Sequence, residues 1–204
     1  MAKWSELIQG ILVRHVRLFG RESDGLDYQA GVDRVNHGLK MMDAVHANTH
    51  AGIVFEAQHE GAAVTAGASI EMLIQLNARY PVHCKPFSKS EGPSELFLFE
   101  QPTFSAAGTA VTSYNRNRRA FAGAANTVVT HTPTTSNDGT QLTSSPVYSP
   151  SGPGQTSAGG DTGGFSEWIL REGYSYLLRL TNTHTVLAFD MWMGLVFYEQ
   201  ELKL

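Results

Sequence analysis

Residues 185–200, TVLAFDMWMGLVFYEQ, alternate large apolar side chains with other residues over most of their length. The apolar positions of the run are Leu187, Phe189, Met191, Met193, Leu195 and Phe197. A period of two places these side chains on one face of a β-strand, whereas a helix would spread them around its circumference. The run therefore predicts a long strand with one face in a core. Gly194, inside it, predicts a bulge or bend.

Shorter runs of the same kind begin near residue 52 and are separated by Gly, Pro, Ser and Asn. IVFEAQH, SIEMLIQLNA and YSYLLRLTN alternate clearly, and ANTVVTHT and TQLTSSPVY are weaker, Thr-rich strand candidates. SELFLFEQ is apolar on both faces, which predicts a strand covered on two sides. About eight such runs, with almost no helical pattern after residue 45, predict an all-β fold. We expect an antiparallel β-sandwich, a jelly roll, over residues 46–204.

Residues 115–164 have a different composition, dominated by Thr, Ser, Gly and Asn, and end in SGPGQTSAGGDTGG. This stretch has no apolar period and too little hydrophobic mass to pack alone, so it predicts long exposed Ser/Thr/Gly-rich loops. Such loops serve equally well as a lid over a substrate or as a contact with a neighbouring subunit.

Residues 1–45 form a separate arm and lead-in segment in this interpretation. The arm carries an apolar stripe of Trp4, Leu7, Ile8, Ile11 and Leu12, spaced for a short helix, although GILVRHVRLF fits an extended strand almost equally well. Because a turn-like segment, GRESDGLDYQAG, follows it, the stripe indicates packing on something outside the domain core. An ordinary first element of the core is the alternative.

Charge, hydropathy and cysteine content limit the binding partners and the cellular compartment that we expect for this chain. The net charge is -4, and binding of nucleic acid requires a basic face that displaces counterions, so we expect no nucleic-acid partner. No segment has the roughly 18 consecutive apolar residues of a membrane span, and the N-terminus lacks the pattern of an export signal. The single cysteine, Cys84, allows no internal disulfide, which favours synthesis in a reducing cytoplasm.

The sequence contains few residue patterns that are typical of catalytic or metal-binding sites. His46, His50, Glu56 and His59 lie close together in VHANTHAGIVFEAQH, but the first pair converges only on a helix, and residues 51–52 enter what reads as a strand. No nucleophile elbow, phosphate-binding loop or dinucleotide fingerprint occurs, and Glu95 and Glu100 cannot be placed face to face. We therefore expect no enzyme activity and assign no catalytic, cofactor-binding or metal-binding residue.

The segment NRNRR is the basic cluster of the predicted domain, with Arg116, Arg118 and Arg119 next to Tyr114. On an acidic chain, a cluster of this kind is a solvated loop or a salt-bridging contact to an acidic partner surface. We predict a docking loop at these three arginines.

Three blocks of the sequence together resemble a family of bacteriophage virion proteins. They are ELFLFEQPTFSAAGTAVTSYNRNR, GGFSEWILREGYSYLLRLTN and a closing strand that ends in FYEQ, and KMMDAVHANTHAGIVFEAQH is similar to the family's lead into its first sandwich strand. The family pattern includes G-T-x-x-T-x-Y-N-x-N-R, matched from Gly108 to Arg118, and an E-W-I-L-like strand at Glu167 to Leu170. The resemblance covers residues 33–204, and residues 1–32 correspond poorly.

The resemblance implies a jelly-roll cement, or decoration, protein on the capsid exterior, often a trimer whose arm reaches over neighbouring shell subunits. It implies no catalytic residues. We expect a non-enzymatic structural protein that lies on the outer surface of the capsid and bridges major capsid protein subunits. We also expect it to form a homo-oligomer, with a trimer favoured over a dimer. The alternatives are a host-recognition or tail-associated module that binds a surface glycan, and a hydrolase on a jelly-roll frame.

Overall fold

The computed structural model describes residues 44–77, 79–119, 124–147 and 167–199. The described residues between 47 and 199 belong to one compact unit. Its elements, in chain order, are α1 (Ala44–Ala51), β1 (Val54–Val64), β2 (Ser69–Gln75), β3 (Val82–Ser90), β4 (Ser94–Glu100), β5 (Thr103–Ala106), β6 (Thr109–Ala110), β7 (Tyr114–Asn115), β8 (Val128–His131), β9 (Thr134–Asn137), β10 (Thr140–Val147), β11 (Trp168–Leu170), β12 (Ser175–Asn182) and β13 (Phe189–Glu199). The all-β prediction is therefore confirmed.

Two antiparallel sheets make up the sandwich. One has five strands in the order β11-β3-β13-β1-β7, and the other has six in the order β10-β4-β12-β2-β8-β6. A separate ribbon pairs β5 with β9. Among the described residues, no helix is long and apolar enough to cross a membrane.

The core fills the space between the two sheets, and the faces predicted from the alternating runs are confirmed. From β2 and β12 the buried residues include Met72, Ile74, Leu178 and Leu180, and from β13 they are Met191, Met193, Leu195 and Phe197. On β4, Phe99 is also buried although it faces away from this core, so the prediction of a strand covered on two sides is confirmed. Leu187 was wrongly included in the apolar face, because it precedes β13 and is 54% exposed.

Gly194 does not form the bulge that the sequence predicted. It pairs in unbroken register with Gln58 of β1 and Phe87 of β3. A Cβ atom at this position would lie 2.5 Å from the carbonyl oxygen of Ala57 and 2.5 Å from the ring of Phe87. Glycine is required here because the Ala57 carbonyl oxygen and the Phe87 ring together leave no room for a side chain.

The two weaker, Thr-rich strand candidates are confirmed, since ANTVVTHT contains β8 and TQLTSSPVY contains β10. Between them, β9 lies in a stretch that was predicted to be an exposed loop. β8 joins β2, and β10 joins β4 at the edge of the six-stranded sheet. Residues 148–166, the remainder of the predicted loops, lie outside the described residues. The domain boundary predicted at residue 45 stays a prediction, because residues 1–43 also lie outside them.

Candidate functional site

Two asparagines fasten the predicted docking loop, residues 114–119, to the start of the sandwich. Asn115 Nδ2 donates to the carbonyl oxygen of Gly52 at 2.5 Å, and Asn117 Nδ2 donates to that of His50 at 2.9 Å. Both acceptors lie where the chain leaves α1 for β1, so the loop is tied to a carbonyl group that ends the helix and to one just beyond it.

The backbone of the same loop is held by further bonds. The Asn115 side-chain oxygen accepts from Asn117 N at 2.8 Å, and the Asn117 oxygen accepts from Arg119 N at 3.1 Å, which are successive Asx turns. Arg116 N donates to the carbonyl oxygen of Val54 at 2.9 Å, which extends the pairing with β1. The loop backbone is thus fixed before any partner binds.

The arginine and tyrosine side chains of this loop are exposed to solvent. Arg116, Arg118 and Arg119 are exposed, and Tyr114 is 61% exposed. Arg116 Nε lies 3.8 Å from a carboxylate oxygen of Glu56. Because this contact is long and exposed, most of the guanidinium can still bind a partner. A planar guanidinium can grip a carboxylate with two parallel hydrogen bonds, so a fixed loop with three of them suits an acidic surface.

The structure divides the histidine-rich segment between two elements, α1 and β1. His46 and His50 both lie on α1, one turn apart, and the predicted strand begins at Val54, three residues later than expected. Glu56 faces Arg116, and His59 stacks on His131 at a distance of 4.2 Å between ring centroids. Within the described ranges, no group of three or more His, Cys, Asp or Glu side chains is placed to hold a metal ion.

A cluster of titratable side chains that the sequence analysis missed lies on the outer face of the five-stranded sheet. Glu167 Oε1 accepts from Tyr198 Oη at 2.6 Å and lies 2.6 Å from His83 Nδ1, and the His83 and Tyr198 rings stack with centroids 4.6 Å apart. The hydrogen bond from Tyr198, followed by His83, lowers the pKa of Glu167. The three residues come from β3, β13 and the approach to β11, and only the strand register brings them together.

This cluster fastens the short edge strand β11 to the sheet, and no activated thiol lies beside it. Cys84 is the neighbour of His83, but it faces the core and is 1% exposed. Burial raises the pKa of the Cys84 thiol to about 12, so it stays protonated at neutral pH.

The two glutamates considered for glycosidase chemistry do not face each other. They lie five residues apart on β4, so Glu95 and Glu100 point to opposite faces of the sheet. Glu100 Oε1 accepts from Tyr176 Oη at 2.9 Å, and the same hydroxyl accepts from Arg171 N at 3.0 Å. Burial, helped by Glu100, raises the pKa of Tyr176 to about 12. Glu100 therefore anchors the turn before β12.

A second charged network missed by the sequence analysis lies on the six-stranded sheet. Arg179 of β12 binds Glu71 of β2 at 2.6 Å and Asp138, in the β9–β10 turn, through two nitrogens at 2.5 Å. Its guanidinium also lies 5.3 Å from the centroid of the Phe99 ring. The bidentate bond from Arg179 lowers the pKa of Asp138. This network ties β12, β2 and the β9–β10 turn together on the outer face of the sheet.

The residues predicted to grip the shell, Trp4, Leu7, Ile8, Ile11 and Leu12, lie outside the described residues. No family model, no curated protein and no solved structure matches the chain. The functional interpretation therefore depends on the docking loop and on the fold that carries it.

Proposed function

We propose that this chain is a non-enzymatic bacteriophage structural protein that binds the exterior of the capsid shell and stabilises it by bridging major capsid protein subunits. The observation that carries the proposal is the docking loop, in which a backbone fixed by Asn115 and Asn117 presents three exposed arginines. A rigid loop loses little conformational entropy on binding, so its contacts contribute more fully to affinity.

We infer that the sandwich follows a jelly-roll path. The eight strands β1–β4 and β10–β13 give the orders β1-β13-β3-β11 and β2-β12-β4-β10. Successive strands alternate between the two sheets except at β4 and β10, which pair with each other in one sheet. Two four-stranded sheets with this alternation are the pattern of two interlocked Greek keys, which is common in viral capsid proteins. The ribbon β5–β9 and the short strands β6, β7 and β8 are additions within the long connection between β4 and β10.

The charge distribution supports an acidic protein surface as the partner of the docking loop. The chain carries a net charge of -4, so nonspecific attraction to polyanions is weak, while the loop itself concentrates positive charge. Exposed Tyr114 beside Arg116 adds the residue types that are enriched in protein interfaces. Complementary charge of this kind steers association and fixes the orientation of docking.

Binding of this chain would stabilise the shell through thermodynamic linkage between binding and assembly. A subunit that binds the assembled lattice more tightly than its separate pieces shifts the equilibrium towards the lattice. If three copies form a ring, three docking loops and three arms engage different shell subunits at once, and the effective concentration raises the overall affinity without new contacts. The arm residues Trp4, Leu7 and Ile8 would supply apolar anchors in this scheme.

The test of the proposal is the copy number of the chain in particles of the virus that encodes it, measured by quantitative mass spectrometry against the major capsid protein. A ratio near one to one is expected for a protein that covers the lattice. A handful of copies per particle would overturn the cement role and favour the alternative, a tail-associated or glycan-binding module, which direct glycan-binding assays with the isolated protein would then examine.

The docking loop has its own test, the binding of the purified chain to shells stripped of it. The triple variant Arg116→Gln, Arg118→Gln, Arg119→Gln is expected to bind at least tenfold more weakly, with a smaller dependence on salt. The control variant, Lys85→Gln with Lys89→Gln, removes exposed positive charge from β3 and should bind normally. Equal binding by both variants would exclude the loop, and deletion of residues 1–20 tests the arm in the same assay.

A further inference from the structure

His59 and His131 form a stacked pair that joins the two sheets along one side of the sandwich. His59 belongs to β1 of the five-stranded sheet, and His131 belongs to β8 of the six-stranded sheet. Their ring centroids are 4.2 Å apart and their planes differ by 16°. Each lies one strand in from an edge, since β7 flanks β1 and β6 flanks β8. The pair therefore closes this side of the sandwich.

Apolar residues surround the pair on the core side. His59 pairs with Met193 of β13, and His131 pairs with Met72 of β2, and both methionines are fully buried. Separation of the two rings would open a path from solvent to these methionines. The pair thus covers one margin of the hydrophobic core.

Few charged groups on the packed elements can offset positive charge at this site. Glu60, the next residue of β1, favours protonation of His59. Glu71 of β2 binds Arg179 on the outer face of its sheet and so points away from the pair. From β6, Thr109 is the partner of His131, and His131 Nδ1 lies 2.8 Å from Thr132 Oγ1. Glu60 is therefore the carboxylate that opposes the effect of His131 on the pKa of His59.

Protonation changes the interaction between the rings from stacking to repulsion. Two imidazolium rings at 4.2 Å repel each other, and their half-buried position weakens the screening by solvent. Burial, followed by the charge of His131, lowers the pKa of His59. Because the folded state resists protonation, stability from this site is complete above the unfolded pKa of about 6.5 and is lost as the pH falls through that value towards the lower folded pKa.

We propose that the His59–His131 stack is an acid-sensitive latch, whose protonation releases β8 and β6 from β1 while the rest of the sandwich stays folded. β6 has two residues and β8 four, and their pairings are the shortest of the six-stranded sheet. Glu199 holds the chain just ahead of β8, where its carboxylate accepts from Thr127 N at 2.6 Å, so the latch acts on the opposite end of β8, at His131. Central strands β12 and β13 have long partners on both sides and do not depend on it. The latch is independent of the proposed capsid role.

The experiment is amide hydrogen exchange of the intact protein at about pH 7.5 and about pH 5, corrected for the intrinsic pH dependence of exchange. In the unaltered protein, acid is expected to reduce protection of β6 and β8 amides at least tenfold more than that of β12 amides. In His131→Phe, a protonated His59 meets a neutral aromatic face and gains a cation–π contact, so the acid effect on β6 and β8 should disappear or reverse.

Two further variants complete the test. His50→Gln removes an exposed histidine of α1 and should retain the full acid effect. His59→Gln removes the partner ring, and this variant should lose the acid effect whether or not its protection at neutral pH is lower. The latch is refuted if acid lowers protection uniformly across the unaltered protein, or if His131→Phe and His59→Gln keep the tenfold local loss.

Discussion

Replacement of Asn115 by alanine tests whether the docking loop is held by its asparagines. Asn115 makes two side-chain hydrogen bonds, to the carbonyl oxygen of Gly52 at 2.5 Å and from Asn117 N at 2.8 Å. At about 1 kcal/mol for each half-buried bond, Asn115→Ala should lower the free energy of loop opening by about 2 kcal/mol. Since 1.4 kcal/mol corresponds to a factor of ten, protection of loop amides should fall by about 30-fold.

The Arg116 amide reports this change, because it donates to the carbonyl oxygen of Val54 only while the loop is closed. Native-state hydrogen exchange measured by NMR gives its protection in both proteins. Asn77→Ala is the matched control, since Asn77 accepts from Arg79 N in a different loop and its loss should leave Arg116 unchanged. If protection of the Arg116 amide changes by less than threefold in Asn115→Ala, the loop is not held by its asparagines. The argument that a rigid loop binds with little loss of conformational entropy would then also fail.

Three other substitutions or measurements follow from the structure. Gly194→Ala should destabilise the sandwich by about 2 kcal/mol in urea unfolding, and trimming Phe87 to leucine should not restore the loss, because the clash with backbone remains. Glu167→Gln should lower stability at pH 7 by less than about 1 kcal/mol, since the group is partly exposed. Because the pKa of Glu167 is lowered in the folded state, the difference should shrink as the pH falls below the unfolded value and vanish below the folded one. Cys84 should resist alkylation at pH 8 until urea unfolds the chain, because its thiol is buried with a pKa raised to about 12.

The sandwich could be predicted from the sequence because its central strands carry an uninterrupted period of two. Met191, Met193 and Phe197 face one core, and no other regular structure puts alternate residues on one side. β8 and β10 were harder to find, since their Thr and Ser side chains give little contrast between the faces. The two short strands β6 and β7 have two residues each, which is too short for any period.

The polar clusters could not be predicted, because they depend on which strands are neighbours. Glu167 lies 84 residues from His83, and their bond requires β11 to pair with β3 in one register. Gly194 was misread for the same reason, since the ring that excludes a side chain there comes from Phe87 on the adjacent strand. The docking loop could be proposed from the sequence because its three arginines are close together along the chain.

The residues on which the family resemblance depended turn out to hold the fold together. Glu100 accepts from Tyr176, Asn117 binds the carbonyl oxygen of His50, and Glu167 fastens β11 to its sheet. The side chains of these motifs make hydrogen bonds within the molecule. A resemblance in such motifs therefore indicates a similar fold more directly than a similar binding partner. If this loop binds a partner, as proposed, the choice of partner depends on its exposed residues outside the pattern, which are Arg116 and Arg119. For this reason, replacement of the arginines should change what the chain binds, and replacement of the asparagines should change how firmly the arginines are presented.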